Sequence, residues 1–253
     1  MELLKAIKNF FNNLGKITIR DNYAVYRIRS KNELLVIIEH FNKYPLYTSK
    51  MINFAYFCKI LDLINSKVHT NINGFLKLVS LINKLNKPIS SSILNNLSIL
   101  GILPNVEFES PILNKNPNLN PFWISGFITG EGSFTYFTRS RKNSKGKIIK
   151  DYTLVMEVSQ NSKDWFILTS IQNYFQVGKI YNETRGITKF RIVVKDEIIN
   201  KLIPHFINYP LEGRKVLQYS ILINIVNILV IEPIKTLERD NKVYDLIKKL
   251  SNL

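Results

Sequence analysis

The alternation of apolar and polar residues in the second half of the chain predicts a fixed order of helices and strands. Strands are predicted where side chains change character at every residue, and helices where apolar residues recur every three to four positions. The predicted elements are a helix over 122–130, strands over 132–141 and 150–159, a helix over 163–176, strands over 178–183 and 188–194, and helices over 196–208 and 213–230. A Lys- and Gly-rich turn over 142–147 joins the first two strands. The order αββαββα indicates an α+β fold built on antiparallel sheets.

Part of this pattern occurs earlier in the chain. Phe10-Phe11-Asn12-Asn13-Leu14-Gly15-Lys16-Ile17 matches Asn173-Tyr174-Phe175-Gln176-Val177-Gly178-Lys179-Ile180, and His40-Phe41-Asn42-Lys43-Tyr44-Pro45-Leu46 matches His205-Phe206-Ile207-Asn208-Tyr209-Pro210-Leu211. Gly15 and Gly178 are 163 positions apart, and Pro45 and Pro210 are 165 apart. Two matches at nearly constant spacing indicate a tandem duplication with two similar halves.

The first copy starts in the middle of the repeating unit. Its first predicted element is a helix over 2–12, followed by strands over 15–20 and 24–29. Counterparts of the 122–130 helix and of the two strands after it would fall before Met1. We therefore expect an incomplete half over 1–103, a linker over 104–120 that contains Pro104, Pro111 and Pro117, and a complete half over 121–253.

One short motif carries the chemistry. Gly126 and Gly130 lie on one face of the 122–130 helix, where small residues let another backbone approach closely. Glu131 follows at the helix end, where the helix dipole opposes negative charge and a cation stabilises it. Gly132, Ser133 and Phe134 then begin a strand. A helix packed on a similar helix would deliver this carboxylate to a metal site between two halves.

The motif and the repeat resemble the LAGLIDADG homing endonucleases. The resemblance implies tandem pseudo-symmetric half-domains with saddle-like sheets, in which two such helices each give one acid to shared divalent ions. It implies that Glu131, with Gly130, holds the metal and that Gln160 orients water. It also implies that Lys215, five residues after Pro210, and Lys50, its counterpart after Pro45, stabilise charge at the phosphate.

The amino-acid composition indicates which kind of molecule the chain binds. The 253 residues include 35 Lys and Arg against 19 Asp and Glu, a formal net charge of +16, which favours a polyanion. The single Cys58 excludes an intrachain disulfide framework. The apolar stretch 216–231 contains Gln218, Asn224 and Asn227, so we interpret it as a buried helix and predict no membrane partner.

Strand alternation assigns a set of cationic and polar side chains to one sheet face, which fits the major groove of double-stranded DNA. The predicted DNA-binding residues are Ser133, Thr135, Arg139, Arg141, Thr153, Lys179, Tyr181, Lys189 and Arg191 in the second half, and Lys16, Arg20, Arg27 and Arg29 in the first. His40 and His205, repeated inside the same motif, are predicted to be structural.

The resemblance implies an intron-encoded, site-specific endonuclease that uses Mg²⁺ or Mn²⁺. A mitochondrial location follows from the resemblance and from the bias toward Asn, Ile and Lys. Because one acid of the pair is absent, we expect the chain alone, as a monomer, to bind DNA and to cleave it poorly or not at all. An upstream segment or a second chain would complete the site. The alternatives are an intron maturase that binds RNA and an inactive DNA-binding remnant.

Overall fold

A computed structural model describes residues 1–21, 23–99, 101, 107–142, 146 and 148–252, with the side chains of 148–150 outside the description. Most of the predicted turn over 142–147 therefore lies outside the described residues. The chain divides into two compact units, Met1–Asn114 and Lys115–Leu253. The division falls within the segment predicted as a linker.

The described residues of unit 1 form one β-hairpin, five α-helices and a short 3-10 helix (Val68–Thr70). In chain order the strands and α-helices are α1 (Glu2–Phe10), β1 (Lys16–Arg20), β2 (Tyr23–Arg27), α2 (Lys31–Lys43), α3 (Lys50–Asn65), α4 (Ile72–Lys84) and α5 (Ser91–Ile99). The strands are antiparallel, with Lys16 opposite Arg27 and Arg20 opposite Tyr23. α1 contacts both strands, and α3 contacts α4.

Unit 2 holds a four-stranded antiparallel sheet in the order β3-β4-β6-β5. Its elements are α6 (Pro121–Glu131), β3 (Gly132–Lys142), β4 (Ile148–Asn161), α7 (Trp165–Phe175), β5 (Lys179–Glu183), β6 (Ile187–Ile192), α8 (Lys195–Glu197), a π-helix (Ile198–Leu202), α9 (Ile203–Asn208), α10 (Arg214–Ile231) and α11 (Leu237–Ser251). One sheet face carries Phe134, Met156, Val158, Phe190 and Ile192, all buried in the core. α7 contacts the sheet through β4, β5 and β6.

The repeated glycines explain why the two motifs match. Gly15 and Gly178 adopt φ angles of +69° and +81°, which L side chains rarely adopt. A Cβ on Gly15 would lie 2.6 Å from the Arg27 carbonyl oxygen, and one on Gly178 would lie 2.7 Å from that of Arg191. Each glycine thus lets a strand begin against the hairpin partner that follows it.

The repeated histidines occupy the same aromatic cage. The His40 ring lies 5.0–5.4 Å from the rings of Phe10, Phe11, Phe41 and Tyr44. The His205 ring lies 4.9–5.3 Å from those of Tyr174, Phe175, Phe206 and Tyr209. The cages and the glycines confirm the predicted duplication. Among the described residues of unit 1, α1 corresponds to α7, and no element corresponds to α6, β3 or β4.

The helices that close unit 2 differ from the prediction in two ways. α11 follows α10, contacts it and buries Val243, Ile247 and Leu250, and no helix was predicted there. α10 is long and apolar enough to cross a membrane by length and composition alone, which is weak evidence for a span. Only Leu222, Ile225 and Val226 are buried, so α10 is a partly exposed helix over β3 and α11 rather than a buried one.

Candidate active site and nucleic-acid interface

α6 begins at a well-formed cap and ends at the candidate metal ligand. The Asn120 side chain accepts a hydrogen bond from the Phe122 N–H at 2.9 Å, and Pro121 takes the first helical position, where its missing N–H costs nothing. Glu131 is the last helical residue and is exposed. No hydrogen bond or ion pair engages its carboxylate within the part of the chain that the structure describes.

A buried hydrogen-bond relay fixes the middle of α6. Ser125 Oγ lies 3.0 Å from His205 Nε2 and donates to the Tyr209 carbonyl oxygen at 2.6 Å. The Tyr174 hydroxyl lies 3.0 Å from His205 Nδ1. Because Ser125 uses its proton on the carbonyl, His205 donates from Nε2 and accepts from Tyr174. Burial lowers the pKa of His205 to about 4, so the imidazole is neutral at pH 7. This agrees with a structural role.

A second contact, one turn later, ties the end of α6 to the loop that precedes α10, the helix that carries Lys215. The Glu212 N–H donates to Thr129 Oγ1 at 3.2 Å. Glu131 follows Thr129 by two residues, and Lys215 follows Glu212 by three, as the second residue of α10. The Lys215 ammonium donates to Gln218 Oε1 at 3.3 Å. Its partial burial and, to a lesser degree, the neighbouring Arg214 charge lower the pKa of this ammonium.

The strand register places Gln160 near the end of the sheet at which β3 begins, directly after Glu131. Gly132, which follows Glu131, is opposite Val158 in β4, and Gln160 lies two residues further along that strand. Gln160 is itself opposite Thr188 of β6 and is partly exposed. In unit 2, Gln160 thus lies on the strand paired with the one that Glu131 leads into, and the Thr129–Glu212 contact brings the chain just before α10 to the last turn of α6.

One face of α6 is open. A Cβ placed on Gly126 or Gly130 would meet no atom within 4 Å among the described residues. Phe122, one turn before Gly126, has 64% of its surface exposed. The stripe formed by these three residues is apolar and narrow enough for a second helix to pack closely.

The sheet face opposite the core carries most of the DNA-binding residues predicted in unit 2, and their charges are partly paired. Lys189 Nζ lies 3.2 Å from Glu157 Oε1 and 3.0 Å from Glu183 Oε1. Arg191 donates to Glu157, and its Nη2 lies 3.6 Å from Glu183. The Arg191 guanidinium also lies over the Phe137 and Tyr181 rings, at 5.3 and 5.0 Å.

Two members of the quartet formed by Glu157, Glu183, Lys189 and Arg191 have pKa values shifted toward the charged form, namely Glu157 and Lys189. Burial opposes ionisation of Glu157, but its hydrogen bonds from Arg191 and Lys189 outweigh that effect and lower the pKa of the carboxyl. The hydrogen bond to Glu183 leads the effects that raise the pKa of Lys189. The quartet adds no net charge to the face, so the surface is less uniformly positive than the sequence pattern suggested.

Further along the sheet, Arg141 is also paired. Its Nε donates to Asp151 at 2.7 Å, and Lys235 donates to the same carboxylate at 2.6 Å. These bonds, first from Lys235 and then from Arg141, lower the pKa of Asp151. Arg139, Thr153 and Lys179 are exposed, while Ser133 and Thr135 are partly covered. Arg139 and Lys179 are thus cations of this face with no ion pair among the described residues.

In unit 1 the predicted cations gather around the hairpin. Lys16, Thr18, Arg27 and Arg29 line a cleft of about 370 Å³ with Ser30 and Glu33. Arg20 bonds the Tyr23 hydroxyl at 3.2 Å instead. Lys50 is the first residue of α3 and is exposed, whereas Lys215 is half-buried, so the two predicted lysines have different surroundings.

Sequence reasoning missed the residues that hold α6 in place. Ser125 and Thr129 share one helix face at i and i+4, and this spacing is a readable signal beside the repeated His motif. Sequence reasoning also paired neither Glu157 nor Glu183 with a cation of the sheet face. Their pairing depends on the β4-β6-β5 order, which no local pattern specifies.

Unit 2 thus combines an antiparallel sheet that carries exposed cations with an exposed carboxylate at the end of an open Gly-x-x-x-Gly helix. The family model of LAGLIDADG endonucleases matches residues 1–61 and 124–226. The chain belongs to this family.

Curated relatives are fungal. A protein of Neurospora crassa named probable intron-encoded endonuclease 3 is 30% identical over 223 residues, which cover 87% of this chain and 40% of that protein. A second from the same species, probable intron-encoded endonuclease 2, is 29% identical over 86% of this chain and 48% of its own length. Probable intron-encoded DNA endonuclease 1 of Mycosarcoma maydis is 26% identical over 77% of this chain and 73% of its own. The chain thus spans less than half the length of the two Neurospora proteins.

Solved structures share the fold. The structure of I-SmaMI bound to uncleaved DNA target in the presence of calcium ions matches with a TM-score of 0.87 and 28% identity, over 99% of this chain and 84% of that one. I-GzeII in complex with its DNA target matches with a TM-score of 0.84 and 28% identity, over 98% and 83%. The predicted α+β half-domain architecture is confirmed.

Proposed function

We propose that this chain is a site-specific endonuclease that binds double-stranded DNA and hydrolyses phosphodiester bonds with Mg²⁺ or Mn²⁺. The observation that carries the proposal is the exposed Glu131 carboxylate, which no side chain neutralises within the described residues, at the end of the open helix α6. Support comes from the family match and from similar structures that hold DNA targets.

The donor set fits a hard divalent cation. Mg²⁺ is commonly held by one or two carboxylates, phosphate oxygens and water, and it needs no dedicated cage of protein ligands. Within the described residues no group of three or more His, Cys, Asp or Glu side chains is placed to hold a metal, which agrees with such an open site. Glu131 and the Gly130 carbonyl would hold the ion. When bound, such an ion neutralises charge on the scissile phosphate and lowers the pKa of water.

The remaining residues act through position and charge. Gln160, at the end of β4, is assigned to orient the attacking water. The Lys215 ammonium, which donates to Gln218, is assigned to stabilise negative charge on the phosphate. Lys50 is assigned the same role in unit 1. The cations of the two units that lie outside the ion-paired quartet bind the DNA backbone and place a target sequence against these groups.

A site shared between two helices needs two acids, and the described residues supply one signature acid, Glu131. We therefore propose that the 253-residue chain alone binds its target and nicks it slowly. A second carboxylate on another helix of the α6 kind, packed on the stripe of Phe122, Gly126 and Gly130, would complete the centre. The intron-encoded relatives and the amino-acid bias support a mitochondrial location.

The proposal is tested by selection followed by cleavage. The purified chain is first used to enrich duplexes from a randomised DNA library in Ca²⁺, and the enriched duplex is then incubated with Mg²⁺ or Mn²⁺. We expect the wild-type chain to nick the duplex weakly at one position in a metal-dependent way. We expect Glu131→Gln to abolish this nicking and to retain DNA binding. Nicking by Glu131→Gln at the wild-type rate would contradict the role of Glu131, and robust double-strand cutting by the monomer would contradict the single-acid account. Preference for structured intron RNA over every duplex would favour the maturase alternative.

A further inference from the structure

The ion-paired quartet on the sheet face of unit 2 sits where a polyanion is proposed to bind. Glu157 and Glu183 place two carboxylates among Lys189 and Arg191, and all four side chains touch one another or share a partner. Carboxylates repel phosphates, so this patch is poorly suited to the DNA backbone. Its alternating donors and acceptors suit base edges, which are exposed in the major groove.

The two acids differ in access. The Glu157 side chain is 17% exposed and is bonded to Arg191, Lys189 and Ser159. Glu183, the last residue of the edge strand β5, is 41% exposed. A carboxylate offers about four acceptor positions, and the ion pairs of Glu183 to Lys189 and Arg191 leave some of them open. Glu183 is therefore the acceptor that a ligand can reach.

The two cations of the quartet differ. Arg191 is fixed by its contacts, whereas Lys189 keeps one N–H donor that no carboxylate among the described residues uses. Arg191 is held by Glu157 and lies against the rings of Phe137 and Tyr181. The Lys189 ammonium has three protons, and two carboxylates account for two of them. Lys189 and Glu183 therefore present an adjacent donor and acceptor, 3.0 Å apart, whose positions the rest of the quartet fixes.

One base pair matches this order of groups. In the major groove a G·C pair shows the guanine N7 and O6 acceptors next to the cytosine N4 donor, and Lys and Glu are the side chains that pair with these edges. In an A·T or T·A pair the single donor, adenine N6, lies between the adenine N7 and thymine O4 acceptors, so a carboxylate that accepts from N6 faces an acceptor on each side. Cytosine N4, by contrast, has an acceptor, guanine O6, on one side only. The quartet thus favours G·C.

We propose that Glu183 and Lys189 specify one G·C base pair of the target, with Glu183 accepting from cytosine N4 and Lys189 donating to the guanine acceptors. Glu157 and Arg191 are positioning residues that hold the pair in place. This inference rests on the proposed DNA binding of the sheet face and adds the base that this patch reads.

The test is a comparison of selected sequences. Wild type, Glu183→Gln, Glu183→Ala and Lys189→Gln are each used to enrich duplexes from a randomised library in Ca²⁺. We expect the wild-type motif to contain a G·C pair whose preference falls at least about tenfold in all three variants, with other positions unchanged. Glu238→Gln removes the same charge from the exposed side chain on α11 and should leave the motif intact.

The outcomes separate the two proposals. If the wild type enriches no motif, the proposed site-specific DNA binding fails. If the wild type enriches a motif that Glu183→Gln and Glu183→Ala reproduce at every position, the assignment of Glu183 is overturned while DNA binding stands. If all three variants instead lose the preference for an A·T pair of the wild-type motif, the choice of G·C is overturned. Thermal unfolding of each variant in the absence of DNA shows whether the fold is retained, and Glu183→Gln preserves the side-chain volume.

Discussion

Ser125 Oγ lies 3.0 Å from His205 Nε2. This contact joins α6, the helix that ends at Glu131, to α9, the helix that precedes α10 and Lys215. Both side chains are buried, with 3% and 6% of their surfaces exposed. The serine proton goes to the Tyr209 carbonyl, and the far ring nitrogen of His205 faces Tyr174. Three side chains and one carbonyl thus form a continuous relay without an unsatisfied group.

Removing the serine hydroxyl should destabilise unit 2. Ser125→Ala leaves both the Tyr209 carbonyl and the His205 N–H without a partner in a buried place, at a cost of about 1–3 kcal/mol. Chemical denaturation at pH 7 measures the loss. Ser220→Ala, which removes an exposed hydroxyl on α10, is the matched control and should change stability by less than about 0.5 kcal/mol. Equal effects of the two substitutions would show that the relay contributes nothing.

Stability should fall in acid because of His205. The folded state keeps this imidazole neutral down to a pKa of about 4, whereas the unfolded chain binds the proton below 6.5. The stabilisation is present above pH 6.5 and is lost as the pH falls toward 4, by about 2–3 kcal/mol between pH 7 and pH 4.5. Unfolding free energies of wild type and His205→Gln across this range test the point. The wild type should lose more stability than the variant, and parallel curves would contradict the buried neutral state.

Local pattern predicted much of this molecule, because strand alternation, helix periodicity and the glycine positions are local properties. The bounds of α6, β3, β5 and β6 lie within about two residues of their predictions, and the duplicated Gly15 and Gly178 marked the repeat. The prediction omitted α11, although Val243, Leu246, Ile247 and Leu250 recur at helical spacing. The Glu183–Lys189 ion pair was not predicted because it joins two neighbouring strands, and their pairing register cannot be read from a local sequence pattern. The roles of the site residues remain predictions.

Alanine at two glycines should have opposite effects on stability. Gly126 lies inside α6 with open space around it, so Gly126→Ala should stabilise unit 2 by up to about 1 kcal/mol. Gly178 has φ of +81° and a carbonyl oxygen 2.7 Å from the would-be Cβ, so Gly178→Ala should destabilise by about 1–3 kcal/mol or more. Thermal unfolding compares them, and a destabilised Gly126→Ala would show that the α6 stripe is covered.

Affinity for DNA should depend on salt through the unpaired cations. The logarithm of the binding constant falls linearly with the logarithm of the salt concentration, in proportion to the phosphates neutralised. Arg139 is exposed on β3, so Arg139→Gln should lower the magnitude of this slope by about 1. Lys242, paired with Glu232 and Glu238 on α11, provides the control, and Lys242→Gln should keep the wild-type slope. A slope unchanged by Arg139→Gln would remove β3 from the interface.

The most direct test of the central claim locates the metal without requiring efficient cleavage of DNA. Fe²⁺ replaces Mg²⁺ in the complex of the chain with its selected duplex, and peroxide with ascorbate generates hydroxyl radicals at the bound ion that cut nearby backbone. We expect protein fragments that end close to residue 131, suppressed by excess Mg²⁺, absent in Glu131→Gln and unchanged in Glu238→Gln. The same fragments from Glu131→Gln as from the wild type would contradict the assignment of Glu131 as the metal ligand.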